Sequence, residues 1–180
     1  MKIVLIDMDE VIFWTQGGFI NMLKEKHPEI KPVPYEQTTE FYMENLYQEN
    51  QREAIKSVWE EKGLFRNLNL MPGALEALME ISKKNEVFIC SSPVISPYCM
   101  QEKYGSIEEK LGKSWLKRTI LTRDKTVVYG DVLIDDKPNP SGVKTPTWEH
   151  IIYDHPWNMH IQGKRRVTWQ NYKEILPELF

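Results

Sequence analysis

The sequence predicts an α/β fold: a three-layer, Rossmann-like core with a parallel sheet and a small helical cap inserted after the first strand. Two observations carry this. Short unbroken runs of β-branched residues and Leu recur along the chain, as expected of strands buried on both faces, and helix-periodic segments separate them. Between the first such run and the second, residues 17–70 hold no strand-like segment.

Lys2 to Ile6 reads as the first buried strand and ends in carboxylates. Gly17 to His27 reads as a helix, with Phe19, Ile20 and Leu23 at helical spacing, and Pro28, Pro32 and Pro34 break it. Two further helices are expected over Thr39–Tyr47 and Gln51–Lys62, the second stopped by Gly63. Met71-Pro72-Gly73 opens a helix in which Leu75, Leu78, Met79 and Ser82 keep the period, and Asn85 ends it. Glu86 to Cys90 is the second strand. Pro97 to Gly112 reads as helical, with a break at Gly105. Thr119–Leu121, Val132–Ile134 and His150–Tyr153 are the third, fourth and fifth strands, and Asn171–Leu179 is a final helix. The expected organisation is therefore a core of residues 1–16 and 71–180 with a cap of residues 17–70.

With 180 residues the chain can bury a core without disulfides or a structural metal. A formal net charge of −3 disfavours a protein that grips nucleic acid by neutralising phosphates. The one basic run, Lys164-Arg165-Arg166, reads as a solvated loop. Cys90 and Cys99 have no metal-type spacing, and Cys90 ends an apolar run, so a buried thiol is expected. The N-terminus is too short in apolar residues and too acidic for a signal peptide, and no stretch approaches a membrane span. A reduced, cytoplasmic setting follows as the expectation, with no membrane and no nucleic acid as partner, for a monomer or homodimer.

In open parallel sheets, ligands bind beyond the carboxyl ends of the strands. Those ends are rich in reactive groups here: Asp7 and Asp9 after the first strand, and Ser91 and Ser92 after the second. Arg123, Asp124 and Lys125 follow the third, and Asp135 and Asp136 the fourth. Clustered carboxylates cannot all stay ionised without a counter-charge, and Mg²⁺ with oxygen ligands supplies one. Lysine and hydroxyl donors complement a phosphate dianion. One carboxylate can serve as nucleophile, and a second two residues later can move the proton. Each group alone has an ordinary alternative. Asp7-Met8-Asp9 could cap a helix, Ser91-Ser92 before Pro93 could be a turn, Lys125 a surface lysine, and Asp135-Asp136 before Pro138 the start of a loop. Their joint occurrence at successive strand ends favours chemistry on phosphate.

At these residues the chain resembles the haloacid dehalogenase-like phosphatases. Their four motifs are matched by Asp7-Met8-Asp9-Glu10-Val11, Ser91, Lys125 and Asp135-Asp136. Within them it is similar to the 5′(3′)-deoxyribonucleotidases, through Phe88-Ile89-Cys90-Ser91-Ser92-Pro93, Leu121 to Val128, Leu133 to Pro138 and Thr145 to His150. The resemblance implies Mg²⁺-dependent hydrolysis of deoxynucleoside 5′- and 3′-monophosphates through an aspartyl-phosphate. Asp7 would be nucleophile and metal ligand, and Asp9 the general acid/base, lending its backbone carbonyl to the metal. Asp136 would be the further metal ligand, supported by Asp135. Ser91, Ser92 and Lys125 would hold the phosphate, and Phe41, Tyr42, Met43 and Trp59 of the cap would pack around the base. For these cap residues, packing within the cap is the alternative. Departures are Glu10 in place of a common Gly, Ser91 in place of Thr, Thr15 in place of an aromatic, and Tyr42 in place of Trp. Three competitors share part of this pattern. One is a phosphatase of another small phosphate ester. Another is a phospho-accepting receiver-like domain, whose acids come in a different chain order and which lacks such a cap. The last is a nucleotide-binding protein without catalysis, which would have no need of Asp9.

Overall fold

The computed structural model describes residues 1–180. Its centre is a six-stranded sheet in the order β3-β2-β1-β4-β5-β6, with every neighbouring pair parallel. The strands are β1 (Ile3–Ile6), β2 (Glu86–Ser91), β3 (Thr119–Leu121), β4 (Val132–Asp135), β5 (Glu149–Tyr153) and β6 (Arg166–Val167). β1 lies inside the sheet: Ile6 stands opposite Ile89 on one side and Ile134 on the other. Burial on both faces explains why β1 reads Ile-Val-Leu-Ile with no polar alternation.

The chain builds β1, β2 and β3 outward in one direction, then returns to the other side of β1 for β4. This reversal opens a crevice beyond the carboxyl ends of β1 and β4.

One face of the sheet, including Val4, Ile6, Val87, Ile89 and Ile134, belongs to the main core with helices α3 (Ala74–Ile81) and α4 (Cys99–Leu111). On α3, Ala74, Ala77, Leu78 and Ile81 are buried, the helical period giving one apolar stripe. Leu5, Cys90 and Leu133 point the other way and pack with Trp148, with Val128 alongside. This second layer comes from the segment between β3 and β5. The indole N–H of Trp148 donates to the carbonyl of Lys125 (3.4 Å) and ties that segment to the site.

After β1 the chain leaves the core and returns along its own path. Phe13 bridges Leu70, Trp14 N–H donates to the Asn69 carbonyl and Met71 N–H to that of Ile12, both at 2.8 Å. Between these crossings lie α1 (Thr15–Lys26) and α2 (Arg52–Val58), packed on each other and separated by short 3-10 turns. The expected helix over 39–47 is only one such turn, Met43–Leu46, with Met43 its one buried residue. A single apolar anchor does not sustain an amphipathic helix. α2 stops at Val58, short of Gly63.

α4 runs unbroken through Gly105, where a Cβ would fall 1.9 Å from the Arg66 guanidinium. Glu102 accepts from the N–H groups of Gly63 (2.6 Å) and Phe65 (3.1 Å), and the Ser106 hydroxyl donates to the Arg66 carbonyl (2.7 Å). At the C-terminus, α5 (Tyr172–Ile175) ends before Pro177, since a residue preceding proline is pushed out of helical geometry.

The basic run is not a solvated loop. Arg166 is in β6 and pairs with Asp154 (2.6 Å), Arg165 pairs with Glu149 and Glu178 (2.7 Å each), and Lys164 lies 2.8 Å from His150 Nδ1. The acids that neutralise the arginines are distant in sequence, and a two-residue strand leaves no periodicity to read. No helix is long and apolar enough to cross a membrane.

Candidate active site

The site forms where β1 and β4 end side by side. Asp7 N–H donates to the Ile134 carbonyl (2.9 Å), so the residue after β1 sits beside the end of β4. Asp7, Asp135 and Asp136 are all buried, and each offers a carboxylate oxygen within 4.8 Å of the others. Lys125 Nζ lies 2.8 Å from Asp7 Oδ1 and 2.6 Å from Asp135 Oδ2. Asp136 has no cation partner. Its Oδ2 accepts from the indole N–H of Trp157 (3.1 Å).

The three carboxylates thus have one ammonium among them, paired with Asp7 and Asp135 and not with Asp136. Burial, reinforced by Asp135 and Asp9, raises Asp7 to about 7 despite the opposing Lys125. Burial and the neighbouring acids raise Asp136 well above the usual carboxylate range. Burial disfavours the Lys125 cation, but Asp135 and Asp7 overcome it and hold the ammonium protonated. An all-oxygen, buried, under-compensated donor set of this kind fits a hard divalent cation.

Asp9 stands one turn away with its own partners. Its Oδ1 accepts from the Thr15 hydroxyl (3.0 Å), and its Oδ2 pairs with the ammonium of Lys103. Lys103 is fully buried on α4, donates to Ser91 Oγ (2.8 Å), and lies 4.9 Å from the centre of the Phe65 ring. The next residue, Glu10, has φ of 58°, in the left-handed region that favours Gly. Its carboxylate takes the Gln16 N–H, and burial raises it to about 8.

Above these groups is a cleft of about 630 Å³, of a size that suits a small organic ligand. Its floor is Asp7, Asp9, Ser92, Lys125, Asp135 and Asp136, and Phe41, Tyr42, Met43 and Trp59 reach it from the insertion. Ser91 is fully buried, off the cleft wall, with its hydroxyl committed to Lys103. Trp59 packs on Phe19 (4.7 Å between centroids) and Met43 is buried in the core, whereas Tyr42 is half exposed at the rim. The structure therefore brings the residues expected at the site together, apart from Ser91. It adds Lys103 and Trp157, which the sequence did not place there, and gives Thr15 a role as hydrogen-bond donor to Asp9.

The raised carboxyls have a consequence for stability. A group held above its unfolded value contributes stability at low pH that is lost as pH rises through the folded value. For Asp7 and Glu10 in metal-free protein that loss runs from the unfolded carboxylate values of about 4 up to the folded values of about 7 and 8. His150 and His155, lowered by burial to about 4, act oppositely but only below the unfolded histidine value near 6.5. The metal-free protein is expected to lose thermal stability from pH 6.5 to 8. Mg²⁺, which binds the ionised set, should raise the melting temperature more at pH 8 than at pH 6. A Mg²⁺ effect that shrinks toward pH 8 would contradict this reading of the cluster.

The family model described as "5′ nucleotidase, deoxy (Pyrimidine), cytosolic type C protein" matches residues 1–179. The human cytosolic-type 5′(3′)-deoxyribonucleotidase is 39% identical over 185 residues, covering 96% of this chain and 92% of that protein. The human mitochondrial 5′(3′)-deoxyribonucleotidase is 38% identical, covering 96% and 81%. Among solved structures, a haloacid dehalogenase-like family hydrolase from Xanthomonas campestris superposes with a TM-score of 0.53 over 99% of this chain and 96% of that one. At 12% identity this likeness speaks to the fold alone.

Proposed function

The chain belongs to the deoxy, cytosolic type C 5′-nucleotidase family, and from that premise we propose that it hydrolyses deoxynucleoside 5′- and 3′-monophosphates, with Mg²⁺, to nucleoside and phosphate. The observation that carries the proposal is the buried Asp7–Asp135–Asp136 cluster bridged by Lys125 beneath an aromatic-lined cleft.

Asp7, Asp136 and the backbone carbonyl of Asp9 would hold Mg²⁺, with Asp135 orienting Lys125. The cation supplies the charge that lets these acids stay ionised beside a phosphate dianion. Lys125 and Ser92 bind the phosphoryl oxygens. A carboxylate oxygen of Asp7 attacks phosphorus, and the P–O bond to the nucleoside breaks in line. Asp9, entering this step in its protonated form, gives that proton to the leaving 5′- or 3′-oxygen, and as the resulting carboxylate takes one from the water that cleaves the aspartyl-phosphate. Thr15 and Lys103 fix the Asp9 carboxyl from both sides, so that it faces the leaving oxygen. Ser91 acts from behind by receiving the Lys103 N–H.

Residues 17–70 would act as the cap over a core of 1–16 and 71–180. The paired crossings at 12–14 and 69–71 support that division. Phe41 and Trp59 would stack on or pack against the base, which for such contacts amounts to roughly 1–3 kcal/mol per base. Phe41→Ala is expected to raise KM for a deoxynucleotide roughly 10-fold while leaving hydrolysis of an aryl phosphate nearly unchanged. Equal effects on both would show that Phe41 serves packing rather than the base. The human relatives are named for the cytosol and the mitochondrion. Two free, buried thiols, Cys90 and Cys99, suit a reducing compartment of that kind.

The test is phosphate release from deoxy- and ribonucleoside 5′- and 3′-monophosphates, with Mg²⁺ and with EDTA. Mg²⁺-dependent release favouring deoxynucleotides is expected. Release only from a generic aryl phosphate would keep the chemistry and discard the nucleotide.

A further inference from the structure

The turn after β5, His155-Pro156-Trp157-Asn158, is built into the site although no substrate contact is needed to explain it. His155, Trp157 and Asn158 are all buried. The Asn158 amide is fully engaged: its N–H₂ donates to the carbonyls of Asp136 and Tyr153 (2.8 Å each). Its oxygen accepts from His155 N–H (3.1 Å) and from the Arg166 guanidinium (2.8 Å). The backbone at Asp136 is thus pinned from β6 through one side chain.

His155 Nε2 lies 2.6 Å from the Glu10 carbonyl oxygen, which can only accept, so Nε2 carries the proton. Nδ1 then accepts from the Tyr35 hydroxyl of the insertion (2.7 Å). The Trp157 ring stacks on this fixed imidazole, centroids 4.2 Å apart and planes 5° from parallel. The stack sets the indole, and the indole N–H meets Asp136 Oδ2 at 3.1 Å.

The choice of donor matters. Lys125 serves Asp7 and Asp135 and cancels charge there. At Asp136 the donor is a neutral N–H, which orients a carboxylate without spending its charge on a fixed cation. We propose that Trp157 is a positioning residue for the metal site: its indole N–H, aligned by stacking on His155, holds the Asp136 carboxylate in the orientation that binds the divalent cation. This rests on the reading of Asp136 as a Mg²⁺ ligand. Partners behind a ligand commonly set metal affinity by 10- to 100-fold.

Trp157→Phe keeps a ring for the stack and deletes the donor. Metal binding is read directly, by calorimetry with Mg²⁺ and by the electron paramagnetic resonance of Mn²⁺ titrated into the protein. The variant is expected to bind either ion roughly 10- to 100-fold more weakly, with kcat restored at saturating Mg²⁺. In an Asp136→Asn background, Trp157→Phe should then change metal affinity no further. Unchanged affinity in the single variant, or an equal loss in both backgrounds, overturns the proposal. Absence of Mg²⁺ binding to the unaltered protein would instead strike the metal reading itself. A measurement independent of the variant's stability uses ¹⁵N-labelled unaltered protein. The Trp157 indole N–H resonance is expected to shift on saturation with Mg²⁺, and a resonance that stays in place overturns the proposal.

Discussion

Asp7→Asn is expected to lower kcat by roughly 10⁴-fold or more, because an amide cannot form the aspartyl-phosphate. The fold should survive. The substitution is isosteric, Lys125 keeps its 2.6 Å contact with Asp135, and the Met8 N–H that donates to Asp7 Oδ1 (2.7 Å) can still find a carbonyl oxygen. The metal-free variant should even gain stability near pH 8, since it no longer carries a buried carboxyl held at about 7. Circular dichroism and melting curves at pH 6 and 8, beside single-turnover kinetics, check both halves. Loss of activity through unfolding would leave the nucleophile unassigned, whereas retained turnover would refute it.

Lys103→Met should have the next largest effect. The ammonium is the only cation paired with Asp9, and it also anchors Ser91 Oγ. Without it the Asp9 carboxyl keeps only Thr15, and general acid–base catalysis of this kind contributes 10²–10⁴-fold. A fall in kcat of about 10²-fold or more is expected, with a much smaller change in KM, because Lys103 does not line the cleft. Breaking a fully buried pair costs about 3–5 kcal/mol, but the Asp9 side chain is 28% exposed and water can reach it, so a loss of about 2 kcal/mol is expected. The readout that separates positioning from stability is a double-mutant cycle. In an Asp9→Asn background, Lys103→Met should have little further effect on kcat. An undiminished effect there would mean that Lys103 acts on the fold and not through Asp9.

Asp7, Ser92, Lys125, Asp135 and Asp136 were legible because each follows a strand-like apolar run, and a parallel sheet sends all such ends to one rim. The insertion was legible because no strand interrupts residues 17–70, although its middle is a chain of 3-10 turns rather than helices.

Lys103 was missed because a lysine in a helical segment is ordinarily solvated. The available signal was its register: Cys99, Lys103 and Ile107 fall at i, i+4 and i+8 and form one buried stripe of α4. A fully buried cation on such a stripe needs an anion within reach, and Asp9, partly open to the cleft, is that anion. Trp157 and Asn158 were missed for a different reason. They lie in a turn with no periodicity, and their importance comes from contacts with Asp136 across 21 and 22 positions of sequence. Ser91 illustrates the remaining limit. A strand end fixes which residues reach the rim, but the alternation of side chains along the strand decides which of two adjacent hydroxyls faces the cleft.

The central claim is covalent catalysis by Asp7, and the most direct measurement traps the intermediate. Enzyme turning over a deoxynucleoside monophosphate with Mg²⁺ is quenched in acid and reduced with borohydride, which converts an aspartyl-phosphate to homoserine. Peptide mass spectrometry then locates the change. Homoserine at position 7, absent from the Asp7→Asn variant, is the expected result. Conversion at another carboxylate, or none while turnover proceeds, would contradict the account.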